Sequence, residues 1–336
     1  MESVQVFLAH IWFFLAGMML MLYVMLDGFD LGVGILSLVA PNEERRSIMM
    51  TSLGSVWDAN ETWLVLTAGT LFGAFAVVYS VVLHALYIPL TIMLFGLIFR
   101  GVAFEFREHA IRKRFWNYAF GIGSLVAAAA QGFVLGGILS GIEVHQGRFV
   151  GGVFDWANWF SLLVAIGVVT GYALLGATYL IMKTTAHLQE DSYRHARLAS
   201  WAMLVAAMGV TLYTPLLYTH VADTWFEIPR FFFIGTLPAT ALFAFFMLHR
   251  ALRRKYEHAP FVWTLLIFSA SFAGLAISLY PYLIPGRVTL MEAAASEKTL
   301  IFMLVGVGFL IPIMLVYNGY LYLVFRGKVH GPNYHE

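Results

Sequence analysis

Two short stretches hold the residues best placed to do chemistry. Asp27-Gly28-Phe29-Asp30-Leu31-Gly32-Val33-Gly34 follows an apolar run from Val4 to Leu26, and Trp57-Asp58-Ala59-Asn60-Glu61-Thr62-Trp63 comes directly before a second one. In a helix, the i, i+3 spacing of Asp27 and Asp30 sets both carboxylates on one face. Trp57, Asn60 and Glu61 share a face of the next helix, with Asp58 and Thr62 on an adjacent one. Carboxylates this close to hydrocarbon are expensive and are functional candidates by default. Asp27, Asp30, Asp58 and Glu61, with an amide and a hydroxyl, have the chemistry to relay protons or to hold another subunit through polar contacts. The plainer alternative is a set of interfacial residues facing headgroup water. Asn60-Glu61-Thr62 also spells a glycosylation acceptor, which on the inner side of a membrane is a chance match.

Other reactive side chains read more simply. Arg100, Glu105 and Arg107, at the inner end of the third expected helix, fit the pattern of snorkelling interfacial anchors. Histidines fall mainly in loops and at helix ends, and none sits mid-span opposite a partner as a bundle-held haem requires. With no cysteine, the chain forms no disulfide, thiolate iron–sulfur site or covalent c-type haem link. It shows no GxGxxG, Walker A or HExxH signature. The expectation is a chain with no metal and no catalytic residue of its own.

These residues must be positioned by membrane helices. The chain has 336 residues, of which 60 % are hydrophobic and 12 % charged, and its mean hydropathy is +0.79. No soluble fold balances core and surface in that way, and a net charge of +1 offers nothing to nucleic acid. A span needs about 20 apolar residues. Such runs predict an all-α, polytopic protein of about nine transmembrane helices near 5–38, 52–80, 82–106, 116–140, 157–183, 196–220, 229–249, 260–283 and 299–325, with Tyr79-Ser80 as a turn between the second and third. Short connections leave no room for an extramembranous domain, so residues 1–336 read as one integral membrane unit. The start, Met1 to Val4, has no basic region and runs straight into apolar sequence, which predicts a retained first helix.

Assigning the connections alternately to the two sides puts 16 of the 20 Lys and Arg on one set of sides. The positive-inside rule then predicts an outside N-terminus and a cytoplasmic C-terminus. The first two helices meet at the cytoplasmic side through a short loop carrying Glu43, Glu44, Arg45 and Arg46, so the two acidic stretches come together. Small-residue pairs Gly28/Gly32, Gly69/Gly73, Gly132/Gly136 and Gly167/Gly171, together with Gly34, provide for close helix packing.

Asp27–Gly34 and Trp57–Trp63, together with Phe99-Arg100-Gly101, Glu105-Phe106-Arg107 and Gly176-Ala177-Thr178-Tyr179-Leu180, resemble subunit II of cytochrome bd-type quinol oxidases, including the cyanide-insensitive branch. The resemblance implies nine helices, two four-helix bundles plus a peripheral helix, in a multi-pass protein of the bacterial inner membrane. It implies a haem-free subunit that pairs with a haem-bearing subunit I carrying haems b and d, or b alone. A small single-helix subunit and a bound quinone or lipid also fall within what it implies. That complex oxidises quinol and reduces dioxygen to water with protons from the cytoplasm. By this resemblance Asp58 lies on a proton route to the haem site, Asp30 and Trp57 lie near it, and Trp63 lies beside a dioxygen access path. A purely structural scaffold for subunit I and a secondary transporter are the alternatives that the residues leave open.

Overall fold

The computed structural model describes residues 2–54, 56–217 and 230–329. Among these the architecture is helical throughout, apart from two small hairpins. Helix α1 (Glu2–Ser37) runs for 36 residues, about 54 Å at 1.5 Å per residue and so longer than the hydrocarbon slab. Its first half mixes exposed, half-buried and buried residues, whereas Asp27 to Gly34 are all buried. That change follows from its glycines. A Cβ on Gly32 would collide with the Tyr172 carbonyl, one on Gly28 would lie 2.8 Å from the Tyr172 ring, and one on Gly34 would collide with the Ser124 hydroxyl. Gly176 faces the Gly32 backbone in the same way. Backbones can therefore touch, and α1 sits at the centre of the protein against α7 (Trp159–Lys183) and α6 (Lys113–Leu139).

The remaining spans group around this axis. Helix α3 (Trp57–Ala74) packs on α1, and α5 (Tyr87–His109) packs along α6 where Gly96 meets Gly123. Helix α7 packs on α8 (Ala186–Leu217), and α9 (Arg230–Arg253) on α10 (Ala259–Leu279), which in turn touches α7. The α6–α7 contact closes at Gly132 against Ala165 and at Gly136 against Ser161. The last helix, α12 (Glu297–Val324), is mostly exposed and leans on α1 and α3 alone among the long helices with more than marginal contact. Of the other small-residue pairs, Gly171 touches Phe268 and Gly73 touches the flexible end of Met303, but Gly69 has open space before it. It plays no part in packing within this chain.

Two expectations need correction. The second span is not one straight helix over 52–80. Helix α3 ends at Ala74, the chain turns by 118°, and α4 (Ala76–Ala85) continues from there, with a further break at Leu86 and none at Tyr79-Ser80. The turn is compensated: the Ala74 carbonyl accepts from the Ala295 amide at 2.9 Å, and Phe75 is wholly buried in a cluster with Trp12, Leu86 and Leu300. Among the described residues eight helices are long and apolar enough to cross a membrane, nine when the bent pair counts as one span. Nor is the connection after α1 a plain loop. Residues Glu43–Leu53 form helix α2, started by Asn42, whose side chain accepts from the Arg45 amide. The expected spans over 196–220 and 229–249 begin and end differently, at Ala186 and Arg253, while positions 218–220 and 229 lie outside the described residues.

The two ends of the protein differ in chemistry. One gathers α2 and the ends of α5, α7, α9 and α12, tied by ion pairs Arg45–Asp191, Arg107–Glu43 (2.6 Å), Lys255–Glu190 (2.6 Å) and Lys328–Glu257 (2.7 Å). The other carries the hairpins β1 (Val144–His145) with β2 (Arg148–Phe149), turning at Gln146 and Gly147 with positive φ, and β3 (Tyr282–Ile284) with β4 (Val288–Thr289). A four-residue helix, α11 (Leu290–Ala293), follows, closed by a capping box between Thr289 and Glu292.

Candidate functional site

Where α1, α3, α5 and α12 meet, the interior is polar. Asp27, Asp30, Asn60 and Arg100 are completely buried. Arg100 of α5 reaches between helices, donating from Nη1 to Asp27 Oδ1 at 2.5 Å and from Nη2 to Glu61 Oε2 at 2.9 Å. Asn60 donates to Asp30 Oδ2 at 2.8 Å and to the Leu26 carbonyl at 3.4 Å, and accepts from the Tyr322 hydroxyl of α12 at 2.7 Å. On the far side of α1, Tyr172 donates to Gln131 Oε1 and Gln131 donates to the Tyr23 hydroxyl, each at 2.7 Å. Tyr23 and Tyr172 both lie in the electrostatic field of Asp27. Five helices and α12 thus contribute to a continuous polar seam through an apolar bundle.

Its charge does not balance through ion pairs alone. Asp27, Asp30 and Glu61 face a single guanidinium, so full ionisation leaves an excess of negative charge in a low-dielectric interior. Asp27 Oδ2 and Asp30 Oδ1 are buried acceptors without a hydrogen-bond partner, and Arg100 Nε is a buried donor without one; such atoms cost about 1–3 kcal/mol or more each until a proton or donor reaches the oxygens and an acceptor the N–H. A cluster of acceptors with unfilled positions beside ionisable groups is suited to taking up and releasing protons.

The residues singled out in the sequence divide sharply. Asp27, Asp30, Asn60 and Glu61 come together as the hairpin reading anticipates. Asp58 does not join them: it is exposed on the outer surface of α3, one step round the helix. Trp57 is half-buried and stacked on Phe104, with centroids 5.3 Å apart and planes 2° from parallel. Trp63 is wholly buried beside Met19, Tyr23 and Ile311, its indole N–H without a partner. Arg100 is not an interfacial anchor, because its guanidinium is spent on Asp27 and Glu61 inside the protein. Arg107 is not one either: it is buried and donates to Asn117, Glu43 and Ser47 at 2.6–2.8 Å, while Glu105 alone of the three is exposed. The buried Asn60 also disposes of the glycosylation match. Sequence reading missed Arg100, Tyr322, Gln131 and Tyr172 as members of the seam. For Arg100 a signal was present, a charge set directly after Leu97-Ile98-Phe99. A lone phenol in an apolar helix gives none.

Fold and site together define a polytopic helical membrane protein with an internal, buried cluster of carboxylates around one guanidinium. The family description "Cytochrome bd terminal oxidase subunit II" matches residues 8–325, and the chain belongs to that family. It is 27 % identical over 360 residues to cytochrome bd-I ubiquinol oxidase subunit 2 of Escherichia coli, covering 96 % of this chain and 95 % of the relative. It is 28 % identical over 344 residues to cytochrome bd ubiquinol oxidase subunit 2 of Bacillus subtilis, covering 96 % and 97 %. In fold it is similar to the solved bd oxidase from Geobacillus thermodenitrificans, with a TM-score of 0.72, 20 % identity, and 94 % of this chain and 99 % of that one covered. The chain is therefore a membrane subunit of a haem-containing quinol oxidase complex that includes a subunit I, and the transporter reading is set aside. Among the described residues no group of three or more His, Asp or Glu is arranged to hold a metal ion.

Proposed function

We propose that this subunit binds none of the complex's haems and conducts the protons that dioxygen reduction consumes. In this reading the basic end faces the cytoplasm, as the concentration of Lys and Arg there supports, and the N-terminus lies outside in a bacterial inner membrane. Haems b and d, or b alone, sit in subunit I, where they supply electron transfer and dioxygen binding. A small single-helix subunit, lipid and a bound quinone complete the assembly we envisage.

The observation that carries the reading is the burial of Asp27, Asp30 and Glu61 around one guanidinium, with unpartnered carboxylate oxygens on Asp27 and Asp30. They lie some 10–15 Å of helix inward from the end of α1, so a proton admitted at the basic end meets them first. Glu61, partly exposed, is the group through which protons enter and leave the cluster. Asp58, outward on the same helical turn, is placed to pass them across the contact with subunit I, and Trp63 borders a dioxygen path. Moving protons inward from one side separates charge, worth about 2.3 kcal/mol per charge for each 100 mV crossed. Asp58→Asn is expected to slow quinol-driven oxygen consumption with haem content intact. Unchanged turnover and proton uptake in the assembled variant would overturn its role.

A scaffold reading has one observation in its favour: Arg100 joins α1, α3 and α5 by two ion pairs, as a staple would. Loss of assembly on replacing Asp30 and Asp58 favours a scaffold role for the acidic stretches, and loss of turnover in an assembled complex favours conduction.

A further inference from the structure

We infer that Tyr322 of α12 is a positioning residue for proton exchange at Asp30, acting by pinning the far end of the Asn60 carboxamide whose donor end faces that carboxylate. The inference rests on the proton-conducting reading of the same site. A carboxamide has a donor end and an acceptor end of nearly equal size, so its neighbours decide its orientation. Asn60 is wholly buried, and both ends are engaged: Oδ1 accepts from the Tyr322 hydroxyl at 2.7 Å, while Nδ2 donates to Asp30 Oδ2 at 2.8 Å and to the Leu26 carbonyl at 3.4 Å. Turning the amide over would set Oδ1 against the carboxylate, acceptor against acceptor. The Asp30 carboxylate and the Leu26 carbonyl, both acceptors, keep Nδ2 on their side, and the Tyr322 hydroxyl, bonded to Oδ1, pins the opposite end of the amide in that setting.

The consequence falls on the two oxygens of Asp30. Oδ2 keeps a constant donor, while Oδ1 is buried with no partner and is the one left to take a proton. Asp27, Glu61 and Arg100 also face Asp30, and the phenols of Tyr179 and Tyr322 stand in its field. Of these, Tyr322 alone arrives on α12, which is otherwise largely exposed and leans only on α1 and α3. The set of the last helix therefore reaches the proton-holding group through one hydroxyl and one amide.

The test uses the purified complex, with quinol-driven oxygen uptake measured against pH and normalised to haem content, for wild type, Tyr322→Phe, Asp30→Asn and the double variant. Tyr322→Phe is expected to assemble and to move the limb of the profile that Asp30 governs by up to about one pH unit, the ceiling set by a hydrogen bond made directly to a charged group. It should have no further effect in the Asp30→Asn background. A redox-difference infrared spectrum gives an independent readout: the carboxylic acid band that Asp30→Asn removes should be displaced in Tyr322→Phe. An unshifted profile and band in Tyr322→Phe, or an effect equally large without Asp30, overturns the inference and leaves the conduction reading standing. Wild-type turnover in Asp30→Asn overturns the conduction reading itself. If Tyr322→Phe fails to assemble, Asn60→Leu, which removes the amide that links Tyr322 to Asp30, carries the same infrared test.

Discussion

A guanidinium buried between two carboxylates on different helices is a bridge whose loss is costly because of what it leaves behind. Removing one partner of a buried ion pair costs roughly 3–5 kcal/mol, mostly the uncompensated charge. Arg100→Leu strands Asp27 and frees Glu61, so we expect a marked drop in the thermal midpoint and in yield of the assembled complex. Arg100→Lys should recover only part of it, since one ammonium does not reproduce two separately directed N–H groups; full recovery would contradict the bridge. At the basic end, Glu257 behaves differently. Donors Lys328 Nζ (2.7 Å) and Gln189 Nε2 (3.0 Å) hold its carboxyl below the ordinary carboxylate range. A depressed carboxylate stabilises the folded protein above its unfolded pKa, and that contribution is lost as pH falls through the folded value. The difference in thermal midpoint between wild type and Glu257→Gln should therefore be small, present at neutral pH, and vanish toward acid; a difference that grows in acid would contradict the pairing. Which carboxylates matter was readable from their apolar surroundings, as Asp27 and Asp30 show. Which way each side chain points was not. Asp58 and Glu61 lie on one short stretch of sequence, yet one faces out and the other in, and only the packing of α1 and α12 against α3 decides between them.

Helix existence was largely set by hydropathy, and helix shape was not. The runs near 116–140, 157–183 and 260–283 agree with α6, α7 and α10 within a few residues. The bend after Ala74 escaped because no proline or local polarity marks it. It depends on a distant acceptance from the Ala295 amide and on a pocket for Phe75. Helix α2 escaped because a polar stretch reads as loop until its cap and ion pairs are seen in place. Glycines separate these cases experimentally. Gly32→Val drives a side chain into the Tyr172 backbone, and we expect loss of the folded subunit. Gly69→Ala meets open space within this chain and should fold normally. Equal expression of stable protein from both would mean that the α1–α7 crossing is not as tight as described.

For the whole molecule, asymmetry of charge is the feature that sequence conveyed most directly, and the structure gathers those charges at one end through pairs that join α2, α8, α9 and the segment after α12. The absence of cysteine makes the orientation easy to test. With Lys255→Cys or Gln146→Cys, a membrane-impermeant maleimide applied to intact cells should label position 146 and leave 255 unlabelled until the membrane is opened. The reverse pattern would invert the account. What no single chain conveys is the surface of subunit I. An exposed Asp58 on a membrane helix acquires its meaning only from what covers it.

The central claim is that the buried acid cluster feeds protons to dioxygen reduction. Its most direct test is single-turnover proton uptake by the assembled complex carrying Asp30→Asn, matched to wild type in haem content. Our account predicts that uptake and oxygen consumption slow together, on the order of tenfold or more, as befits loss of a proton-transfer group. Wild-type rates of both in that complex would contradict it and leave the cluster a structural clasp.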